Sequence, residues 1–139
     1  MSEQHICCAG GEAGKVDYGE KHMNKEKQAK IKAEMDAMRA ALKTFGEEEL
    51  KGEAMRMFAT VSRKKIEAVQ ASEQDAYEKM SDSQQCSSKG EALEETISIL
   101  EEAMDVFDEL LYAIDDDASS ARDIKEIGYD IANCLQDLV

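Results

Sequence analysis

The strongest constraint on the fold is an unbroken seven-residue repeat over residues 93–116. Apolar side chains recur there at alternating steps of four and three, a spacing that places them along one side of an α-helix. The members of this seam are Leu93, Ile97, Leu100, Met104, Phe107, Leu111 and Ile114. Small and apolar residues beside the seam widen the apolar arc to about 160°, broader than the stripe of a two-stranded coiled coil. The pattern therefore predicts a bundle helix with a neighbour on each side.

The opposite side of this helix is acidic. Adjacent acids recur with the repeat, and no lysine or arginine occurs between Lys89 and Arg122 to offset them. Residues 91–139 hold 15 acids against two bases, so they carry nearly all of the net charge of −14. We expect this face to bind another protein that has a basic surface. The candidate contact residues are Glu94, Glu95, Glu101, Glu102, Asp105, Asp108, Glu109, Asp115 and Asp116.

The rest of the chain also favours helices. Proline is absent, and further apolar seams run through residues 31–45, 55–80 and 124–138. Capping boxes are predicted at Thr44, Ser88 and Ser120, and residues 81–90 have the composition of a loop. The fold class expected over residues 17–139 is all-α, an antiparallel bundle of about four helices or a long helical hairpin with a shorter one. Residues 1–16 contain three glycines and no periodicity, so we expect a flexible tail.

The charge and the apolar pattern also bear on location. An acidic surface disfavours direct binding to nucleic acid or to anionic membranes. The chain has no N-terminal apolar run typical of a signal peptide and no stretch of about 20 apolar residues. Its four cysteines show no zinc-finger spacing. We therefore expect reduced cysteines and a cytoplasmic location.

The turn predicted at residues 115–126 is a weak candidate for a metal site. Aligned with the calcium loop of EF-hands, it places oxygen ligands at five of the usual positions, through Asp115, Asp117, Ser119, Asp123 and Glu126. However, Ser120 replaces the glycine of the sharp turn, Arg122 replaces an apolar residue, and no second loop of this kind occurs in the chain. We therefore expect these acids and serines to end one helix and cap the next.

The N-terminal tail holds a cluster of soft metal ligands, His5, Cys7 and Cys8. A metal site there would need Cys86 or His22 as a further ligand, so exposed thiols on a tail are the simpler expectation. Elsewhere no pairing of nucleophile and base, no glycine-rich phosphate loop and no Glu-x-x-His pair is apparent. The sequence thus predicts a protein that is not an enzyme and needs no cofactor.

A basic row on the first predicted helix offers an internal use for some of the acids. Lys25, Lys32 and Arg39 recur every seven residues, as do Glu94, Glu101 and Asp108. Such rows face each other in an antiparallel helix pair, so they would select neighbouring helices or pair two copies in a homodimer. The acids expected to stay unpaired are Glu95, Glu102, Asp105, Glu109 and Asp116.

These observations predict a small acidic adaptor, chaperone-like protein or inhibitor that acts by binding another protein. A methionine-rich patch and two outward-facing tyrosines, Tyr112 and Tyr129, are further candidate contacts. One alternative is a DNA-mimic inhibitor of a nucleic-acid-binding complex, of the anti-restriction or anti-CRISPR type, because the acidic helices approach the charge density of duplex DNA. A second alternative is a divalent-cation sensor that acts through residues 115–126.

Overall fold

A computed structural model describes residues 23–139, which form six helices joined by short turns, with no strand in that range. The helices are α1 (Lys25–Thr44), α2 (Glu47–Leu50), α3 (Glu53–Glu78), α4 (Asp82–Gln85), α5 (Ser88–Asp115) and α6 (Ala121–Gln136). The four long helices pack as a ring in the order α1, α6, α5, α3. The broadest contact is between α3 and α5, and the narrowest side of the ring is between α1 and α3. The all-α bundle expected from the sequence is confirmed; the tail predicted at residues 1–16 lies outside the described residues.

The apolar seam of α5 is the centre of the core. Leu100 and Phe107 are fully buried, whereas Met104 and Leu111 are only half-buried. Thr96, Ala103 and Leu110, which flank the seam on one side, are all buried. The buried side of α5 is therefore shifted from the predicted seam toward these flanking residues. The buried arc is wide because α3 covers one flank of α5 and α6 covers the other.

The predicted helix starts hold to different degrees. Ser120 caps α6 as expected: its hydroxyl accepts from the Asp123 amide at 3.2 Å, and the Asp123 carboxylate accepts from the Ser120 amide at 2.9 Å. The cap of α5 is Ser87, one residue before the predicted Ser88, and its hydroxyl accepts from the Gly90 amide at 3.2 Å. The predicted loop at 81–90 contains the short helix α4.

The capping box predicted at Thr44 is wrong. Helix α1 runs through Thr44, whose hydroxyl donates to the carbonyl of Ala40 at 2.9 Å. The break follows at Gly46, whose amide donates to the Glu49 carboxylate at 2.8 Å and starts the short helix α2. A threonine inside the last turn of a helix can bond backward in this way, which removes its hydroxyl from a capping role.

Two glycines allow close approaches between helices. A Cβ atom at Gly90 would lie 2.4 Å from the carbonyl oxygens of Gln84 and Gln85, so α4 reaches the first turn of α5 only because that side chain is absent. A Cβ atom at Gly128 would lie 2.8 Å from the methyl groups of Leu42, which packs α1 tightly onto α6. These close contacts hold α4 against the start of α5 and α1 against α6.

Candidate functional site

One of the two acidic rows on α5 faces α3 and is paired there. Asp108 is the clearest member of this paired row. Arg63 Nη2 donates to its Oδ2 at 3.2 Å, and Nε lies 2.8 Å from its Oδ1, within ion-pair distance although not aligned for a hydrogen bond. The Arg63 side chain is 25% exposed, so the pair is shielded from water on one side. The members of the paired row are Glu94, Glu101, Asp108 and Asp115.

The same register continues along both helices in steps of seven residues. Arg56 forms an ion pair with Asp115, and this hydrogen bond is the main cause of the raised pKa of Arg56. Gln70 Nε2 donates to Glu101 at 3.1 Å. At the far end, burial and then the charge of Glu94 raise the pKa of Tyr77. The antiparallel α3 therefore binds three members of the row, Asp115, Asp108 and Glu101, whereas Glu94 lies near Tyr77 without an ion pair or hydrogen bond to a described side chain.

Within one copy of the chain, the basic row predicted to face these acids does not do so, and its use between two copies stays a prediction. Lys25, Lys32 and Arg39 lie on α1, which is not a ring neighbour of α5. Lys32 pairs instead with Asp36 at 2.9 Å, and Arg39 donates to Gln136 on α6 at 3.1 Å. The correct signal was present in the sequence, because Arg56, Arg63, Gln70 and Tyr77 also recur every seven residues.

A second acidic row lies on the outer side of α5, and we call it the outer acidic stripe. Its side chains are all exposed, and within the described part of the chain none of them forms an ion pair or a hydrogen bond between side chains. Successive members are four, seven, three and four residues apart, which places them on one line about 27 Å long at 1.5 Å per residue. The members are Glu91, Glu95, Glu102, Asp105 and Glu109. All but Glu91 were predicted contact residues.

Tyr112 extends the outer acidic stripe at its C-terminal end. It lies three residues beyond Glu109 on the same side of α5, and it is 72% exposed, more than any other large apolar side chain that the structure describes. Tyr129, the second predicted tyrosine contact, is partly buried against the core. Of the two tyrosines, Tyr112 is therefore the one exposed beside the stripe.

The end of helix α6 brings one further acid, Asp137, to the neighbourhood of the stripe. Cys134 lies half-buried between the two helices, and its Sγ donates to the carbonyl of Ile99 at 3.6 Å. Burial raises the pKa of the Cys134 thiol to about 11, with further contributions from Glu102 on α5 and Asp137 at the end of α6. Acids from both helices thus act on one thiol, and the negative field spans the α5–α6 junction.

The turn between α5 and α6 gives its acids separate structural roles. Asp115 pairs with Arg56, and the carboxylate of Asp116 accepts from the Ala118 amide at 3.2 Å and from the Ser119 hydroxyl at 3.3 Å. Asp123 caps α6. The acids at the two predicted contact positions in this turn, Asp115 and Asp116, are therefore engaged within the fold.

A lysine reinforces the same turn. Lys51 Nζ donates to the carbonyl oxygens of Ala113 and Asp116 at 2.9 and 2.7 Å, which satisfies the last turn of α5. The weak metal candidate, Asp115, Asp117, Ser119, Asp123 and Glu126, gains no support from these positions. Across residues 23–139, no three His, Cys, Asp or Glu side chains are grouped to hold a metal ion.

The cysteine and histidine predictions fall largely outside the structure. His5, Cys7, Cys8 and His22 lie before the described residues. Of the described cysteines, Cys134 is free and Cys86 is disulfide-bonded, so the expectation of reduced cysteines does not hold for Cys86. The cytoplasmic location stays a prediction.

The chain matches no protein-family model, no curated protein and no solved structure. Within residues 23–139, no helix combines the length and hydropathy needed to cross a membrane. The outer acidic stripe is a continuous row of exposed acids for which the described residues supply no ion pair.

Proposed function

We propose that this protein is a non-catalytic binding protein, an adaptor, chaperone-like protein or inhibitor, that holds a basic partner protein on the outer acidic stripe. One observation carries the proposal. Five carboxylates lie exposed on one line of α5 without partners among the described residues, while α3 pairs three of the four acids in the neighbouring row on the same helix. The unpaired acids are therefore available to an external cation.

The stripe also has an energetic cost that a partner would relieve. Asp105 lies three residues from Glu102 and four from Glu109, so these acids repel one another. Each such like-charge pair destabilises a helix by roughly 0.2–0.5 kcal/mol. A partner's lysines and arginines would convert this repulsion into attraction.

Exposed charges mainly speed and orient association, so an apolar contact is also needed for affinity. Tyr112 supplies one at the end of the stripe, because it presents an aromatic ring beside the acids and is 72% exposed. We infer that the partner brings a basic surface flanked by a small apolar recess for this ring.

Charge neutralisation tests the proposal. The stripe variant carries E95Q, E102Q, D105N and E109Q; its matched control carries E26Q, E47Q, E48Q and D75N, four exposed acids elsewhere that give the same change in net charge. Each protein is immobilised and exposed to an extract of the cells that produce it, at about 50 and about 300 mM salt. We expect wild type and control to capture the same basic protein at low salt and to lose it at high salt. Capture of that protein by the stripe variant would contradict the proposal.

Duplex DNA, added as a competitor, separates this function from the DNA-mimic alternative. Mimicry needs carboxylates nearly as dense as phosphates, about one per 1.7 Å on duplex DNA. The ion pairs of Asp108 and Asp115 with arginines remove two acids from the count on α5. We therefore expect DNA to leave the captured partner in place; displacement by DNA would favour a DNA-mimic inhibitor instead.

A further inference from the structure

A groove of about 430 Å³ lies on the other side of the bundle, between α1 and α3. Its lining combines the apolar residues Ala33, Ala68 and Val69 with three lysines, Lys27, Lys30 and Lys65. Four residues of each helix line it and span seven residue steps along the helix axis, so the groove is about 10 Å long. This volume lies within the usual range for a small-molecule site, roughly 300–1,000 Å³.

The groove exists because α1 and α3 make the narrowest contact in the ring and meet through polar side chains. Ser62 and Glu73 are only 2% and 3% exposed, although they lie on α3 where apolar residues are expected. The Ser62 hydroxyl donates to Glu34 at 2.8 Å, and Lys27 Nζ lies 3.0 Å from Glu73. The short side chains of Ala33 and Ala68 then leave the outer part of the seam unfilled.

One lysine beside the groove, Lys30, has no ion-pair partner among the described residues. Glu73 is paired with Lys27, and Glu34 accepts from Ser62 and lies 3.6 Å from Lys65. Lys30 forms no ion pair with any other described residue, although Glu26 and Glu34 lie one turn away on α1. Among the residues that line the groove, three lysines therefore face one carboxylate, Glu34, and Lys30 stays without an ion pair even though the net charge of the chain is −14.

We propose that this groove binds a single-chain amphipathic carboxylate, such as a medium-chain fatty acid. Its carboxylate lies between Lys30 and Lys65, where it supplies the missing negative charge. Its hydrocarbon chain covers Ala33, Ala68 and Val69 and removes their apolar surface from water. A second copy of the protein is a poorer occupant, because the outer acidic stripe has charge but no apolar ridge to fill the groove.

Calorimetric titration of the full chain with decanoate tests the proposal, and decyltrimethylammonium of equal chain length serves as the opposite-charge probe. Ala68→Leu fills the groove, whereas Ala71→Leu adds the same group to an exposed site on α3 outside it. We expect one saturable decanoate site in wild type and A71L, and its loss in A68L. The cationic probe should not bind at that site.

Lysine variants test the charge independently of groove filling, which matters if A68L fails to fold. Lys30→Gln should weaken decanoate binding by about three- to tenfold, whereas Lys25→Gln, on another side of α1, should leave it unchanged. Absence of saturable decanoate binding, equal binding by K30Q and K25Q, or equal binding of the cationic probe would overturn the proposal. The stripe variant should bind decanoate normally, so failure of the proposed partner binding would not affect this result.

Discussion

Two rows of exposed carboxylates run along α5 about a quarter of a turn apart, and they differ in the partners that the rest of the fold gives them. The paired row faces α3, where Arg56, Arg63 and Gln70 answer its members. The outer acidic stripe faces solvent and has no such partners among the described residues. The difference shows that acid content alone does not mark a binding surface. The acids that indicate a binding surface are those without a partner on a neighbouring helix.

Charge reversal in the paired row should have the largest effect on stability. Arg63→Glu removes the partner of Asp108 and places a third acid beside Glu67. We expect the free energy of unfolding to fall by about 1–2 kcal/mol, measured by urea denaturation, and the R63E/D108R double variant to recover at least part of it. Lys64→Glu is the control, because Lys64 is exposed and outside the paired row. Equal losses in R63E and K64E would mean that the row contributes nothing specific.

Asp105 and Asp108 lie three residues apart in different rows, and we expect their neutralisation to change the stability of the fold in opposite directions. Asp105→Asn relieves repulsion with four acids at three and four residues and should stabilise the fold by about 0.5–1 kcal/mol at low salt. Asp108→Asn removes the partner of Arg63 and should destabilise it by about 0.5–1 kcal/mol. Thermal unfolding at low and high salt measures both, and salt should shrink the gain in D105N. A loss of stability in D105N would show that Asp105 stabilises the fold as the acids of the paired row do.

The smallest expected effect is that of the stripe's charge on the Cys134 thiol at the α5–α6 junction. With burial as the first cause, its pKa is raised to about 11. Alkylation by iodoacetamide near pH 8, followed at this residue by mass spectrometry, should therefore be about a hundredfold slower than in the unfolded chain. Glu102→Gln should lower this pKa and speed the reaction, whereas Glu109→Gln, which does not act on the thiol, should leave the rate unchanged. Identical rates in both variants would show that Glu102 has no influence there.

The same raised pKa gives a pH dependence of stability. The native thiol holds its proton more tightly than the unfolded one, so its contribution is complete below the unfolded pKa near 9. That contribution is lost as the pH rises toward 11. We expect Cys134→Ser to flatten the fall of stability over this alkaline range.

The parts of the fold that depend on local pattern were predictable. The steps of four and three identify Leu93, Leu100 and Phe107 as core residues, and the Ser120 capping box depends only on residues of its own turn. By contrast, the choice between Ser87 and Ser88 as cap depends on how α4 approaches Gly90, which is a tertiary contact. Local periodicity carries no information of that kind.

The sequence identified the acids that crowd α5, but it did not show which of them pair with a neighbouring helix. All nine predicted acids lie on α5 or at its C-terminal end, yet their pairing depends on which helix packs beside them. Arg56 and Arg63 recur every seven residues like the acids, and so does the basic row on α1. Only the order of the helices in the ring shows which of these two rows lies beside the acids. Ser62 and Glu73 likewise look like interruptions of an apolar seam until α1 supplies their partners.

The most direct test is the dissociation constant of the captured partner for wild type, the stripe variant and the matched control at about 50 mM salt. If the outer acidic stripe is the binding surface, the stripe variant should bind at least about a hundredfold more weakly, and the control should stay within about twofold of wild type. Equal weakening in both variants would reduce the effect to net charge. Unchanged affinity in the stripe variant would contradict the account.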